Sequence, residues 1–210
     1  MAKKKSSTAA DWTHPKFGSF KRDGAGWSAA INVPAFAAFS YDTGYPNAPR
    51  STGNVALGLH YHLMNAQVPA TPPPEMVALL DNVMADPRAL VGRVVNALWD
   101  EFNGRGPDSG VWWHDNMKQI NKSFAYDGLS PPKRADDLLP VLQLTSLSIF
   151  NEWWDHPAPI VYLEFHAAFE EEHGLAMLSN ADEILGAGFA AGDVMLWKHL
   201  RKTPPRNPFI

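Results

Sequence analysis

The chain has 210 residues, and 45% of them are hydrophobic, so it is long enough to bury a core of its own. Its formal net charge of −4 argues against nucleic-acid binding, which usually needs a basic face, and the absence of cysteine excludes disulfides and thiolate sites. No apolar run approaches the length that spans a bilayer, and the basic N-terminus lacks the apolar segment of a secretory signal. We therefore expect a cytoplasmic protein that has no membrane partner.

The first third of the chain is expected to be mainly β-structure. Residues 1–14 are predicted to be a mobile basic tail. A glycine-rich turn at 23–26 joins residues 17–22 to an apolar run at 27–33, which predicts a hairpin. A second apolar run at 36–41 follows Pro34 and is predicted to be a third strand. Residues 55–63 alternate between apolar and other side chains, which indicates a half-buried strand with His60 and His62 on its second face.

Two consecutive helices are predicted next. Thr71 precedes three prolines and is expected to cap the first helix, and Asp86 before Pro87 is expected to cap the second. Apolar residues recur at helical spacing up to Phe102, where Asn103 and a glycine end the pattern. This stripe predicts a helix face that packs on the core.

The last part of the chain is predicted to return to β-structure. Residues 104–133 are interpreted as an insertion that contains a short helix at 117–124. The apolar run 141–150 and the three runs within 161–189 predict further strands, the last three forming an antiparallel meander. Residues 194–200 fit either a strand or a helical turn. Residues 201–210 are proline-rich and are expected to be an irregular tail.

The grouping of strands and helices predicts an α+β fold. Because strands and helices are segregated along the chain, we expect a mostly antiparallel sheet packed against two consecutive helices. The predicted domain covers residues 15–200 and includes the inserted segment.

The first candidate site is the charged turn inside the meander, at Glu170, Glu171, Glu172 and His173. One interpretation is a solvated corner in which Gly174 supplies a positive φ and the acids face a partner. The other is acid–base chemistry or a metal site, for which convergent histidines and a carboxylate are required. The ligands would then be His166, Glu172 and His173.

The second candidate is a pair of similar fragments that contain twin tryptophans, Trp112 with Trp113 and Trp153 with Trp154. Large aromatic rings are typical of recognition surfaces, but they are equally typical of core cover. A histidine and an aspartate follow each pair, so a shared ion site is a third interpretation. His60 and His62 are a further, weaker metal candidate.

The charged turn resembles a bacterial family of uncharacterised domains, some of whose members are described as immunity proteins of polymorphic toxin systems. The resemblance rests on two features: an opening with Phe17, Gly18, Gly26 and Trp27, and the run of Glu172, His173, Gly174 and Leu175 after a strand. It covers roughly residues 15–195. The resemblance implies a small cytoplasmic protein that binds and neutralises a partner.

Together, the residues and the resemblance favour a non-catalytic immunity-type protein whose partner is a cognate toxin or another protein. No nucleophile elbow or phosphate-binding loop is present, and no cofactor is expected. The alternatives are a metal-dependent or acid–base enzyme that uses His173, and a structural or oligomeric module.

Overall fold

The computed structural model describes residues 11–42, 52–61, 68–103, 105, 117–126, 128–153 and 158–190. Within these residues the strands are β1 (Trp12–His14), β2 (Gly18–Arg22), β3 (Gly26–Asn32), β4 (Asn54–His60), β5 (Leu142–Phe150), β6 (Ile160–Ala167), β7 (Leu175–Ser179) and β8 (Ile184–Phe189). The helices are α1 (Pro74–Val83), α2 (Pro87–Phe102) and α3 (Met117–Tyr126), with 3₁₀ helices at Pro34–Ala38 and Ala135–Val141.

The eight strands form one sheet in which spatial order equals chain order. Six of the neighbouring pairs are antiparallel, and β4 with β5 is the parallel pair. The connection between these two strands carries all three α-helices, as a parallel pair requires a long crossover. The prediction of an α+β fold with a mostly antiparallel sheet is confirmed.

One face of the sheet packs against α1 and α2 to form the main core. The strand residues that it buries alternate along each strand, as in Leu57 and Leu59 of β4 and Leu163 and Phe165 of β6. The opposite face is divided. Its β6–β8 half carries a second apolar cluster around Trp153 and Tyr162. Small residues line the middle of its β3–β5 half, and the paired His60 and Phe150 lie at one end.

Helix α2 begins where the sequence indicates. The Asp86 side chain accepts hydrogen bonds from the backbone N–H groups of Arg88 and Ala89, both at 3.1 Å. These bonds satisfy two of the donors that a helix N-terminus leaves without partners. None of the helices in the described residues has the length and apolar character needed to cross a membrane.

The prediction of a strand at 36–41 is wrong. Pro34 begins a 3₁₀ helix, and Phe36 and Phe39 are both buried against the core. Their spacing of three residues matches the three residues per turn of a 3₁₀ helix, so both rings fall on one side. The apolar content of the run correctly indicated burial, but the three-residue spacing of its phenylalanines indicated a helix and not a strand.

Two boundaries also differ from expectation. The predicted tail at 1–14 contains β1, and His14 is buried, with its Nδ1 accepting from the backbone N–H of Lys16 at 3.0 Å. Thr71 does not cap α1, because that helix begins three residues later and its N-cap residue is Pro73. Proline fixes φ near the value that a first helical turn needs, so the proline run itself sets the start.

Several predictions concern residues outside the described ranges. They include residues 1–10, most of the first half of the proposed insertion, residues 194–200 and the tail at 201–210. The short helix expected at 117–124 lies within the described ranges and is confirmed as α3.

Candidate functional site

The charged corner is the connection between β6 and β7, and its backbone is held by hydrogen bonds. The N–H of Gly174 donates to the carbonyl of Glu170 at 3.0 Å, and the N–H of Glu170 donates to the carbonyl of Ala167 at 3.0 Å. Gly174 has φ +65°, as predicted, and a Cβ there would lie 2.9 Å from the carbonyl oxygen of Phe165. Glycine is therefore required both by the backbone conformation and by the available space.

An aromatic anchor fixes the start of this corner to the helices. Phe169 is buried. Its ring meets Phe102 of α2 edge-on, with the ring centroids 5.2 Å apart, and stacks on Phe124 of α3, with the centroids 5.3 Å apart. Such aromatic pairs add to the free energy gained by burial. The glutamates that follow Phe169 thus begin from a backbone position that is fixed by packing.

Two of the three glutamates have partners within the protein. The Glu170 carboxylate lies 2.8 Å from Nδ1 of His173, and the Tyr41 hydroxyl donates to the Glu171 carboxylate. Tyr41 is positioned by its own backbone N–H, which donates to the carbonyl of Leu142 at 3.0 Å. Glu171, Glu172 and His173 remain exposed to solvent, so the corner offers acidic oxygens at a defined place.

The ion pair at the corner perturbs the histidine. The hydrogen bond that the His173 ring donates to Glu170 raises the pKa of His173; desolvation opposes this shift, and the charges of Glu170 and Glu172 reinforce it. A raised pKa means that the pair stabilises the folded state when His173 is protonated. The net charge of the corner therefore becomes more negative when the pH rises through this pKa and the imidazolium loses its proton.

We expect NMR titration to show a His173 pKa above that of an ordinary histidine, and we expect the Glu170→Gln variant to lower it. The stabilisation is fully present below the pKa of the unfolded state and is lost as the pH rises through the folded-state pKa. Its size is small, because solvent screens an exposed pair. Glu172→Gln is the control and should shift the pKa less, since Glu172 acts only through its charge. An unchanged pKa in Glu170→Gln would contradict the pairing.

The alternative metal site is not assembled. His166 lies on β6, where it is paired with Gln143 of β5, whereas His173 lies in the turn and is bonded to Glu170. Among the described residues, no group of three or more histidines and carboxylates could hold a metal ion. The proposed ligand set of His166, Glu172 and His173 is thus not brought together, because two of its members belong to the turn and one to the strand.

The tryptophan pairs give one clear result. Trp153 is only 2% exposed, stacks on Tyr162 at 5.3 Å and meets Phe150 edge-on at 5.2 Å. It therefore belongs to the second apolar cluster and not to an exposed partner-binding surface. Trp112, Trp113 and Trp154 lie outside the described residues.

His60 lies on the second face of β4 as predicted, but its environment is not that of a solvated strand. Its imidazole covers Gly58, since a Cβ on that glycine would lie 2.0 Å from His60 Nε2 and 3.0 Å from Ser148 Oγ. Burial lowers the pKa of His60, and the charge of Asp23 partly offsets this effect. A glycine at position 58 is what makes room for the ring; His62 lies outside the described residues.

A polar feature that the sequence interpretation did not single out lies on the small-residue half of the second face. Ala30, Ala56, Ser146 and Glu164 form one row across β3, β4, β5 and β6, and we call this region the open face. Ala30 and Ala56 are exposed, and a cavity of about 330 Å³ adjoins the row. The sequence signal that could have found it is the isolated carboxylate in a strand otherwise free of charge.

Comparison of this chain with protein-family models, curated proteins and solved structures finds no match. The resemblance of the acidic corner to immunity-protein domains consequently stays a prediction.

Proposed function

We propose that this chain is a non-catalytic binding protein of the immunity type, which neutralises a cognate bacterial toxin in the cytoplasm by direct contact. The observation that carries the proposal is the corner at Glu170–His173, where exposed acids project from a turn that is fixed by Tyr41, Gly174 and the buried Phe169. The resemblance of the same residues to immunity-protein domains supports it.

Preorganisation gives this corner its value as a docking surface. A loop that is ordered only on binding loses conformational entropy at that moment, whereas a loop already fixed does not. The acids would attract a basic surface on the toxin, and charge complementarity of this type accelerates encounter and excludes partners of the wrong charge. The net charge of −4 acts in the same direction.

The proposal is tested with the product of the adjacent gene in the native host. Co-expression of this chain should relieve the toxicity of that product, and the two proteins should co-purify in a salt-sensitive complex. Glu172→Lys should weaken the complex by about tenfold or more, whereas Asp182→Lys, an exposed acid in the β7–β8 turn, is the matched control and should not.

Four results would count against the proposal. The proposal would lose its support if the adjacent gene product is not toxic or if co-expression does not relieve its toxicity. If both charge variants bind the partner equally well, the binding surface does not include the corner. Stoichiometric zinc, iron or manganese in the purified protein would instead favour the enzyme alternative, and a stable homo-oligomer in light scattering would favour the structural one.

A further inference from the structure

The sheet has a very uneven distribution of charge. Strands β3 to β8 contain no lysine or arginine, and their single carboxylate is Glu164, in the middle of β6. Removing a carboxylate from water costs free energy, which hydrogen bonds or a cation must offset. The partners of the Glu164 carboxylate therefore decide how its charge is accommodated in the sheet.

Two hydroxyl groups donate hydrogen bonds to Glu164. The Ser146 hydroxyl donates to its Oε2 at 3.1 Å, and the Thr145 hydroxyl donates to its backbone carbonyl at 2.9 Å. In the part of the chain that the structure describes, none of the salt bridges includes this carboxylate. Its carboxylate is partly exposed on the open face, where a cation from outside the chain could reach it.

The cavity on the open face has a partly polar lining. Glu164 does not line it, but two lining residues adjoin Glu164: the Thr145 hydroxyl donates to its backbone carbonyl, and His166 follows it on the same strand. Asn54 and Gln143 contribute further polar groups, and the other lining residues are Ala30, Val55, Ala56 and Leu144. His166 follows Glu164 by two residues on the same strand face, about 7 Å along β6. The volume of about 330 Å³ is at the small end of ligand pockets, which suits a single side chain better than a large cofactor.

We propose that the open face binds a guanidinium group, with Glu164 supplying the counter-charge and the neighbouring cavity accepting the remaining N–H groups. Guanidinium carries five donors in one plane and is less strongly hydrated than an ammonium group, so it fits a site with one carboxylate and several neutral acceptors. The natural source would be an arginine of the partner protein; this identification of the source rests on the proposed function.

The test is a titration of the isotope-labelled full-length chain with N-acetyl-L-arginine N-methylamide, followed by amide chemical shifts. The neutral isostere is the corresponding citrulline compound, and a lysine compound tests the requirement for a planar group. Glu164→Gln removes the charge but keeps the acceptor for Ser146. Asp182→Asn, which neutralises an exposed acid in the β7–β8 turn, is the matched control.

We expect saturable shifts at Ala56, Ser146, Glu164 and His166 with the arginine compound. Binding should be weaker by about tenfold or more, equivalent to about 1.4 kcal/mol, for citrulline and for Glu164→Gln, and unchanged for Asp182→Asn. The site is ruled out if citrulline binds equally, if Glu164→Gln binds like the original chain, or if the shifts are centred elsewhere or never saturate. Equal binding of lysine would overturn the guanidinium assignment.

The titration uses no toxin, so its outcome is separable from that of the proposed function. If rescue fails and the titration is positive, the guanidinium site is supported and the toxin-neutralising function is not. If rescue succeeds and the titration is negative, the toxin-neutralising function is supported and the guanidinium site is ruled out. The citrulline comparison does not depend on any variant and keeps the test valid even if Glu164→Gln is unstable.

Discussion

Replacement of Phe165 by alanine is expected to lower the free energy of unfolding by about 3–5 kcal/mol. Phe165 is 1% exposed in the second half of β6, and its ring meets that of Phe39 edge-on, with the ring centroids 5.3 Å apart. Its removal would leave a cavity between the sheet and the first 3₁₀ helix, which the surrounding backbone is too constrained to fill. Chemical denaturation followed by tryptophan fluorescence measures the loss.

The adjacent residue provides the control for this prediction. His166 points to the opposite face of the same strand and is exposed, so His166→Ala should change stability by no more than about 0.5 kcal/mol. A loss below about 1 kcal/mol for Phe165→Ala, or equal losses for the two variants, would mean that the main core does not lie on the assigned side of β6.

Replacement of Gly26 by alanine is expected to cost about 3 kcal/mol or more, the upper end of what overpacking produces. A Cβ at this position would lie 1.9 Å from the carbonyl oxygen of Leu59 and 3.0 Å from the Cα of His60. These are backbone atoms of the paired strand, so relief requires that β3 and β4 separate. That separation would also strain the hydrogen bond from the N–H of Tyr61 to the carbonyl of Ala25, which is 2.8 Å long.

Gly24 lies in the same turn and offers a matched comparison. A Cβ on Gly24 would meet no atom within 4 Å, so Gly24→Ala should change stability by less than about 1 kcal/mol. Thermal unfolding of the two variants separates the steric effect of the close approach from the general effect of adding a methyl group to the turn. Equal melting temperatures would show that β3 and β4 do not approach each other so closely at Gly26.

Local patterns in the sequence predicted most elements of the sheet and the longest helix. Helix α2 was readable because its apolar spacing, the Asp86 cap and the terminal asparagine all agree. The β6–β8 meander was readable for the same reason, since apolar runs alternate with strong turn signals. The run at 36–41 failed because its apolar content was weighed without its period of three residues.

The arrangement of the candidate sites could be predicted only in part. The positive φ of Gly174 and the exposure of the acids follow from local sequence, but Tyr41 and Glu171 meet across most of the chain, and no local pattern reports such a contact. Burial of Trp153 likewise depends on Tyr162, which approaches through the fold of the sheet. Glu164 was visible as the isolated charge of six strands, and only the register showed that it faces small residues.

The crossover between β4 and β5 has an evolutionary consequence. It leaves and rejoins the sheet at neighbouring strands, so the strand order does not depend on how many residues it contains. The entropy lost in closing a longer connection grows only slowly with its length. Ancestors of this chain could therefore gain or lose helical segments here without a change in strand order. The short turns that connect β6, β7 and β8 do not allow such insertions as readily.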